Sequence, residues 1–277
     1  MKVNELLAFA TQKLKDNNSD DNILKAKMLL AHTLGISKET LINISNNKID
    51  VLDEKRYIEY IYELCNNRPI QYITNKQEFM KLAFYVDENV LIPQPDTEIL
   101  VEEVLTILKP NMKVLDLCTG SGAIAIALYK YSNNIFVDAS DISNKALAVA
   151  ETNAKTLLGN GDINFILSDL FENIKGKYDV IVSNPPYIET SVIDTLGKEV
   201  KHEPMLALDG GISGLDFYKK IAKNAKQFLN LKGHLCLEIG YNQKESVIRI
   251  LEENGYKNIK CIKDLSKNDR VIICEVI

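Results

Sequence analysis

From Lys113 onward the chain alternates short apolar runs of strand length with longer stretches of helical periodicity. Val114-Leu115-Asp116-Leu117, Ile135 to Ala139, Ile163 to Leu167, Tyr178 to Val182 and Gly233 to Ile239 read as strands. Gly122 to Tyr131, Ser143 to Leu157, Gly214 to Leu229 and Lys244 to Glu253 read as the helices among them. Two further strands follow, around Ile259 and from Val271 to Val276. Parallel strands need long return connections, and helices in that role cross over with a right hand. The expected fold is therefore α/β, a doubly wound, mostly parallel, seven-stranded Rossmann-like sheet. The last two strands are close enough in sequence to pair antiparallel and finish it as an edge.

What precedes the alternation has a different texture. Leu6, Leu7, Ala10 and Leu14 recur at helical spacing, as do Ile23, Ala26, Leu29, Leu30 and Leu34 after an Asp20-Asp21 start that can cap a second helix. Gly35 followed by Ser37 reads as a stop and a new cap, and Asp53 to Cys65 as a further helix. Residues 1–67 are thus expected to form a small helical bundle. Residues 68–95 read as a linking β-hairpin, extended from Arg68-Pro69-Ile70-Gln71-Tyr72-Ile73 through Phe79, Phe84 and Val90 to Pro93. Residues 96–277 then form the α/β domain. Its first turn, Pro93-Gln94-Pro95-Asp96-Thr97-Glu98, offers Asp96 or Thr97 as the cap of a helix from Ile99 to Leu108.

Charge and cysteine usage exclude several classes of function. The ten Lys and Arg of residues 1–75 balance ten Asp and Glu, and the whole chain carries a net charge of −5. Non-specific nucleic-acid binding works by neutralising phosphates with Lys and Arg, so no stable nucleic-acid partner is expected. A neutral bundle suits contact with protein better than with DNA. The N-terminus has no signal-peptide apolar core and no run reaches membrane-spanning length, which predicts a cytoplasmic protein without a membrane partner. Five cysteines without Cys-x-x-Cys spacing and three scattered histidines suggest neither disulfides nor a metal site.

The chemistry-bearing residues fall at the carboxyl ends of the predicted strands, where open α/β sheets hold ligands. Cys118-Thr119-Gly120-Ser121-Gly122 links the first strand to its helix. Glycines there let a backbone approach a ligand closely. Gly120-x-Gly122-x-x-Ala125 also satisfies a dinucleotide pattern, so this loop alone leaves a nicotinamide oxidoreductase open. Asp141 ends the second strand about 20 residues later, the place of an acid that accepts from ribose hydroxyls. Asp169 and Leu170 follow the third strand, placed to accept from an exocyclic amino group and to pack on a base. Together the three loops suggest a nucleoside-containing cofactor. After the fourth strand comes Asn184-Pro185-Pro186-Tyr187, in which two prolines fix φ and donate no N–H. Such a loop presents a carboxamide, free carbonyls and a ring to something planar that carries an NH2 group. The Asn184 side-chain oxygen and the Pro185 carbonyl would each accept one N–H, while Tyr187 stacks on the plane.

With these residues in place the chain resembles class I S-adenosylmethionine-dependent methyltransferases that act on an amide or amino nitrogen. Arg68-Pro69-Ile70-Gln71-Tyr72, Leu91-Ile92-Pro93-Gln94-Pro95-Asp96-Thr97-Glu98, and Glu203-Pro204 through Ala207-Leu208-Asp209-Gly210-Gly211 to Gly214-Leu215-Asp216-Phe217-Tyr218 are similar to the PrmC/HemK family, the peptide chain release factor glutamine methyltransferases. The resemblance covers nearly the whole chain. It implies a Rossmann-like methyltransferase domain and a bundle that docks bacterial class-1 release factors. The substrate it implies is the glutamine of their Gly-Gly-Gln loop. S-adenosylmethionine is the implied cofactor, leaving as S-adenosylhomocysteine, with no metal. The expected cofactor-binding set is Cys118, Thr119, Gly120, Ser121, Gly122, Asp141, Asp169, Leu170 and Asn184. The expected substrate set is Asn184, Pro185, Pro186 and Tyr187, with Asn184, Pro185 and Tyr187 catalytic. Two positions depart from the family pattern. Cys118 replaces its first glycine, a change that a negative φ would tolerate, and Gln94 stands where Arg is usual.

Three rivals remain at this stage. A nucleic-acid amino methyltransferase, on adenine in DNA or guanine in ribosomal RNA, would use the same tetrapeptide on a flipped base. The oxidoreductase rests on the glycine loop alone. A non-catalytic S-adenosylmethionine-binding protein would dock a partner through the bundle. The stretch from Glu189 to Asp216 reads as a long structureless connection, a candidate lid or substrate loop.

Overall fold

The computed structural model describes residues 1–159 and 161–277. The chain divides into two compact units. One comprises Met1–Asn75 together with Gly197–His202, the other Lys76–Leu196 and Glu203–Ile277.

The first unit contains α1 (Val3–Asp16), α2 (Asn22–Leu34), α3 (Thr40–Asn43), α4 (Val51–Cys65) and α5 (Ile70–Thr74). Leu6, Ala10 and Leu14 of α1 meet Ala26, Leu29 and Leu30 of α2 and Tyr57, Ile61 and Leu64 of α4 in one core. The Tyr57 hydroxyl, buried in it, donates to the Ala26 carbonyl at 3.1 Å. Asp50 caps α4 by accepting from Leu52 N at 2.8 Å. Asp21 precedes α2 in the left-handed conformation and makes no side-chain cap, contrary to the expectation for Asp20-Asp21. The Arg68–Ile73 stretch, expected to be extended, carries α5 instead. Pro69 occupies its N-cap with φ −54°, and its carbonyl accepts from both Tyr72 N and Ile73 N, so Ile70, Tyr72 and Ile73 are buried by a single turn of helix. The returning segment Gly197–His202 adds an ion pair from Lys25 to Glu199 at 3.4 Å and a contact from His202 Nε2 to the Asn66 carbonyl at 3.3 Å.

The second unit opens with a hairpin of β1 (Gln77–Phe79) and β2 (Leu82–Phe84). Its two-residue turn, Met80-Lys81, has positive φ at both positions. That is the twist a tight hairpin needs, achieved without the glycine or asparagine that would have announced it. Then follow α6 (Pro95–Ile107), β3 (Lys113–Leu117), α7 (Ala123–Tyr131), β4 (Phe136–Asp141), α8 (Asn144–Leu158), β5 (Ile163–Leu167), β6 (Tyr178–Ser183), α9 (Thr190–Ile193), α10 (Met205–Leu208), α11 (Asp216–Ala225), β7 (Leu229–Glu238), α12 (Lys244–Glu253), β8 (Lys257–Lys263) and β9 (Asp269–Glu275). Helix α6 begins earlier than its predicted cap. Gln94 is the N-cap and Pro95 the first helical residue, where a missing N–H costs nothing, and this frees the side chains of Asp96 and Thr97.

Among the described residues, seven strands form one sheet in the order β5-β4-β3-β6-β7-β9-β8. The first five run parallel, and β9 enters antiparallel between β7 and β8. Side-chain alternation divides the core between its faces. Val114, Val180, Val182, Cys236 and Ile273 pack with α6 and α7. Leu115, Leu117, Ile181, Leu235, Ile272 and Cys274 pack with Tyr218, Ile221 and Ala225 of α11 and Val247 and Leu251 of α12. The stretch from Glu189 to Asp216 is not structureless. It holds α9, a 3-10 turn over Val200–His202 and α10. It also returns to the tetrapeptide loop, where Ile188 N donates to the Leu208 carbonyl at 3.0 Å and Gly210 N to the Ile188 carbonyl at 2.8 Å. No helix among the described residues is long and apolar enough to cross a membrane.

Candidate active site

Register puts the carboxyl ends of β4, β3, β6 and β7 side by side, pairing Leu117 with Ser140 and with Ser183, and Ser183 with Leu237. Above them lies a cavity of about 280 Å³. Cys118, Gly120, Asp141, Asp169, Leu170, Asn184 and Pro186 line it. Thr119, Ser121, Gly122, Pro185 and Tyr187 are not among its lining residues. Sequence reasoning missed the part of the wall made by Val90, Leu91, Leu206, Phe217 and Lys220. The first four are apolar residues in irregular or terminal positions, where periodicity carries no signal.

Buried acids hold the glycine loop in shape. Asp116 Oδ2 accepts from the Thr119 hydroxyl at 2.6 Å and from Ala125 N at 3.2 Å, and burial pushes this carboxyl up to about 7. Thr119 therefore braces the loop from beneath. Asp141 Oδ2 accepts from Gly120 N and Oδ1 from Ser143 N, both at 2.9 Å. A carboxylate can accept about four hydrogen bonds, so Asp141 keeps acceptor capacity beyond these two. Burial raises this carboxyl too, against the pull of its backbone donors. Asp138 is turned away to the Tyr178 hydroxyl and to Asn164. Gly120 has φ +56° and open space where a side chain would stand, so backbone forms that part of the wall. Cys118 has φ +59°, not the negative value that would tolerate a side chain easily. Beyond β5, Leu170 also has positive φ, and its carbonyl accepts from the Ser168 hydroxyl at 2.8 Å. The cavity wall thus combines a carboxylate braced by backbone donors, a bare glycine backbone and apolar side chains, a set that fits a nucleoside with vicinal hydroxyls.

The tetrapeptide closes the opposite wall. Asn184 lines the cavity, and its Nδ2 donates to the Thr97 hydroxyl at 3.2 Å, so Oδ1 is the carboxamide atom left to accept. The Tyr187 hydroxyl donates to Glu238 Oε1 at 3.4 Å, and its ring packs against the core shared with α11. The Tyr187 carbonyl accepts from Gln243 Nε2 at 2.9 Å. Hydroxyl, ring and carbonyl together anchor the loop. Gln94, at the family's arginine position, turns back to the Ile92 carbonyl at 2.9 Å.

A mostly parallel seven-stranded sheet with one reversed strand, carrying its cavity at the parallel strand ends, defines the protein as a Rossmann-like methyltransferase. Residues 94–206 match the Methyltransferase small domain and residues 5–74 the PrmC N-terminal domain. A solved methyltransferase from Pyrococcus furiosus shares this fold at 20% identity, TM-score 0.56, over 72% of this chain and 91% of its own. One chain of the E. cuniculi Mtq2-Trm112 complex, described as responsible for methylation of the eRF1 translation termination factor, superposes at TM-score 0.50 with 25% identity, over 68% of this chain and 99% of that chain. Full-length relatives narrow the class. The release factor glutamine methyltransferase of Clostridium acetobutylicum is 40% identical over 281 residues, covering 99% of this chain and 98% of its own. That of Bacillus cereus is 35% identical with complete coverage of both. The chain belongs to the release factor glutamine methyltransferase family.

Proposed function

We infer that this protein methylates the side-chain amide nitrogen of the glutamine in the Gly-Gly-Gln motif of bacterial class-1 release factors. One observation supports the reading most: within a chain of this family, Asn184 lines the same cavity as Asp141 and Asp169, and its Nδ2 is held by the Thr97 hydroxyl at 3.2 Å, so its oxygen is the carboxamide atom left to accept. S-adenosylmethionine, when bound, supplies the methyl group from its sulfonium. Asp141 receives the ribose hydroxyls, Leu170 and Asp169 the base, and the backbone from Cys118 to Gly122 the remainder of the cofactor.

A carboxamide nitrogen is a weak nucleophile because its lone pair is delocalised into the carbonyl. The protein's task is to aim it. Asn184 Oδ1 and the Pro185 carbonyl accept the two N–H groups of the substrate amide, and Pro186 supplies an apolar wall. Alignment of this kind is worth on the order of 7 to 11 kcal/mol in well-oriented systems. Positive charge growing on the nitrogen during transfer strengthens both acceptor bonds, so the stabilisation is greater in the transition state than in the ground state. Nucleic-acid bases present the same NH2 group, but the balanced charge of residues 1–75 and the chain's net charge of −5 offer no polyanion platform. The test is mass spectrometry of a release factor, and of ribosomal RNA and DNA in parallel, after incubation with protein and S-adenosylmethionine. One methyl on the Gly-Gly-Gln glutamine is expected. Transfer to nucleic acid alone overturns the reading.

A further inference from the structure

Gln243, between β7 and α12, is 8% exposed and stands at the N-cap of α12, yet its side chain does not cap that helix. Its carboxamide is spent on three other segments instead. Oε1 accepts from Gly240 N at 2.9 Å and lies 3.4 Å from the Tyr218 hydroxyl of α11. Nε2 donates to the Tyr187 carbonyl at 2.9 Å and to the Gly214 carbonyl at 3.2 Å. A backbone N–H can only donate and a carbonyl can only accept, so this amide has one orientation.

We propose that Gln243 is a positioning residue that sets the spacing between two walls of the cavity, the tetrapeptide and the start of α11. The proposal rests on the reading above, in which the tetrapeptide grips the substrate amide. Tyr187 ends the loop whose Asn184 and Pro186 line the cavity. Gly214 leads into α11, whose Phe217 and Lys220 line it as well. One NH2 group thus holds both segments. The prolines between Asn184 and Tyr187 have fixed φ, so little in the loop can absorb a shift, and a displaced Tyr187 carries Asn184 with it.

The backbone around the amide is shaped to admit it. A Cβ on Gly214, at φ +66°, would collide with the Tyr187 carbonyl oxygen and stand 2.8 Å from Gln243 Nε2. One on Gly240 would stand 2.8 Å from Gln243 Oε1. Bare backbone at both places leaves the room that the carboxamide fills. Other side chains of similar length lack its combination of two donors and an acceptor on one flat group: an ionised glutamate has no donor, a lysine no acceptor, and a methionine no donor.

The experiment compares wild type, Gln243→Met, Gln243→Glu and Tyr256→Phe on a release factor. Gln243→Met keeps the length and loses both donors, and kcat should fall roughly ten- to a hundredfold, the scale of a reactant misplaced by about 1 Å. Gln243→Glu keeps the shape but turns a second acceptor toward two carbonyls, and should lose at least as much. KM for the release factor and affinity for S-adenosylhomocysteine should stay within about fivefold, because Asp141 and Gly120 hold each other without Gln243. Tyr256→Phe is the control for the loss of a buried hydrogen bond as such. It removes the bond of that hydroxyl to the Ala222 carbonyl of α11, at 3.1 Å, and should keep kcat within about twofold. In isotope-labelled protein the backbone amide resonances of Ile188 and Leu215, next to the two tied carbonyls, should shift in both Gln243 variants and hold in Tyr256→Phe. Wild-type kcat in the folded Gln243 variants, a loss confined to KM, or unmoved resonances overturn the proposal. So does failure of both Gln243 variants to fold, which would make the residue a support of the core alone. A wild type that transfers nothing to a release factor refutes the substrate assignment, and the two resonances then decide the tie by themselves: shifted, it stands, and unshifted, it falls.

Discussion

Replacing Gly210 with alanine tests whether the position of the tetrapeptide backbone governs turnover. Gly210 is buried against that loop. A Cβ built on it would stand 2.7 Å from Tyr187 Cα, 2.8 Å from the Tyr187 carbonyl carbon and 2.9 Å from the Pro186 oxygen. Ordinary contact begins near 3.4 Å, so something must yield by about 0.7 Å. The atoms in the way are backbone, and the backbone of Tyr187 is tied on its other side to Gln243 at 2.9 Å. The displacement therefore falls on the segment that carries Asn184. A misplacement near 1 Å costs on the order of a hundredfold in rate, and overpacking of a fitted core costs about 1–3 kcal/mol in stability. We expect Gly210→Ala to remain folded, with kcat for methyl transfer to a release factor lowered roughly ten- to a hundredfold. Calorimetric affinity for S-adenosylhomocysteine should stay within about threefold, because Asp141 and Gly120 are untouched. Gly197→Ala, where an added Cβ meets nothing within 4 Å, is the matched control and should be neutral. A folded Gly210→Ala protein with wild-type kcat would refute the argument.

Other outcomes follow from the same geometry. Asn184→Ala should abolish most transfer while retaining cofactor affinity, and unchanged turnover in both Asn184→Ala and Asn184→Asp would remove the acceptor role. Asp141→Asn keeps the shape but weakens the acceptor, and a calorimetric loss of about ten- to a hundredfold in S-adenosylhomocysteine affinity is expected. Cys118→Gly should raise the urea midpoint by roughly 0.5–1 kcal/mol equivalent, since a side chain at φ +59° is strained. Burial lifts the Glu203 carboxyl from its ordinary 4.5 to about 7, against the Ile92 N–H that it accepts at 3.0 Å. A raised carboxyl contributes stability that is full below its unfolded value and lost as pH rises through the folded one, here at most about 3 kcal/mol. Urea midpoints should therefore fall between pH 5 and 8, and Glu203→Gln should flatten part of that fall.

The sheet was legible because most of its strands carry short apolar runs bounded by loops and separated by helical periodicity, a pattern with few alternatives. Asp141 and Asp169 were legible for a related reason: strand ends in this topology converge, so a polar residue there has one direction to face. Local conformation was harder to read. Met80-Lys81 adopts a glycine-like turn because Phe79 and Phe84 are packed edge to face in the core at 6.0 Å and fix the register from both sides. Thr97 looked like a helix cap because capping chemistry and site chemistry use the same hydroxyl. Pro95 settled which was meant by taking the first helical position. Glu238 left one trace, a lone charge at the end of the apolar run Leu235-Cys236-Leu237, which gains meaning only when β6 is seen beside it.

The excursion of residues 197–202 into the first unit bears on how this family can be recombined. A chimera made with a single crossover near residue 75 would take the bundle from one parent and its returning segment from the other. Lys25 would then face a stranger's residue at 199, and the Asn66 carbonyl a stranger's at 202. Modular exchange needs three cuts instead of one, because the smaller unit is continuous in space and interrupted in the gene.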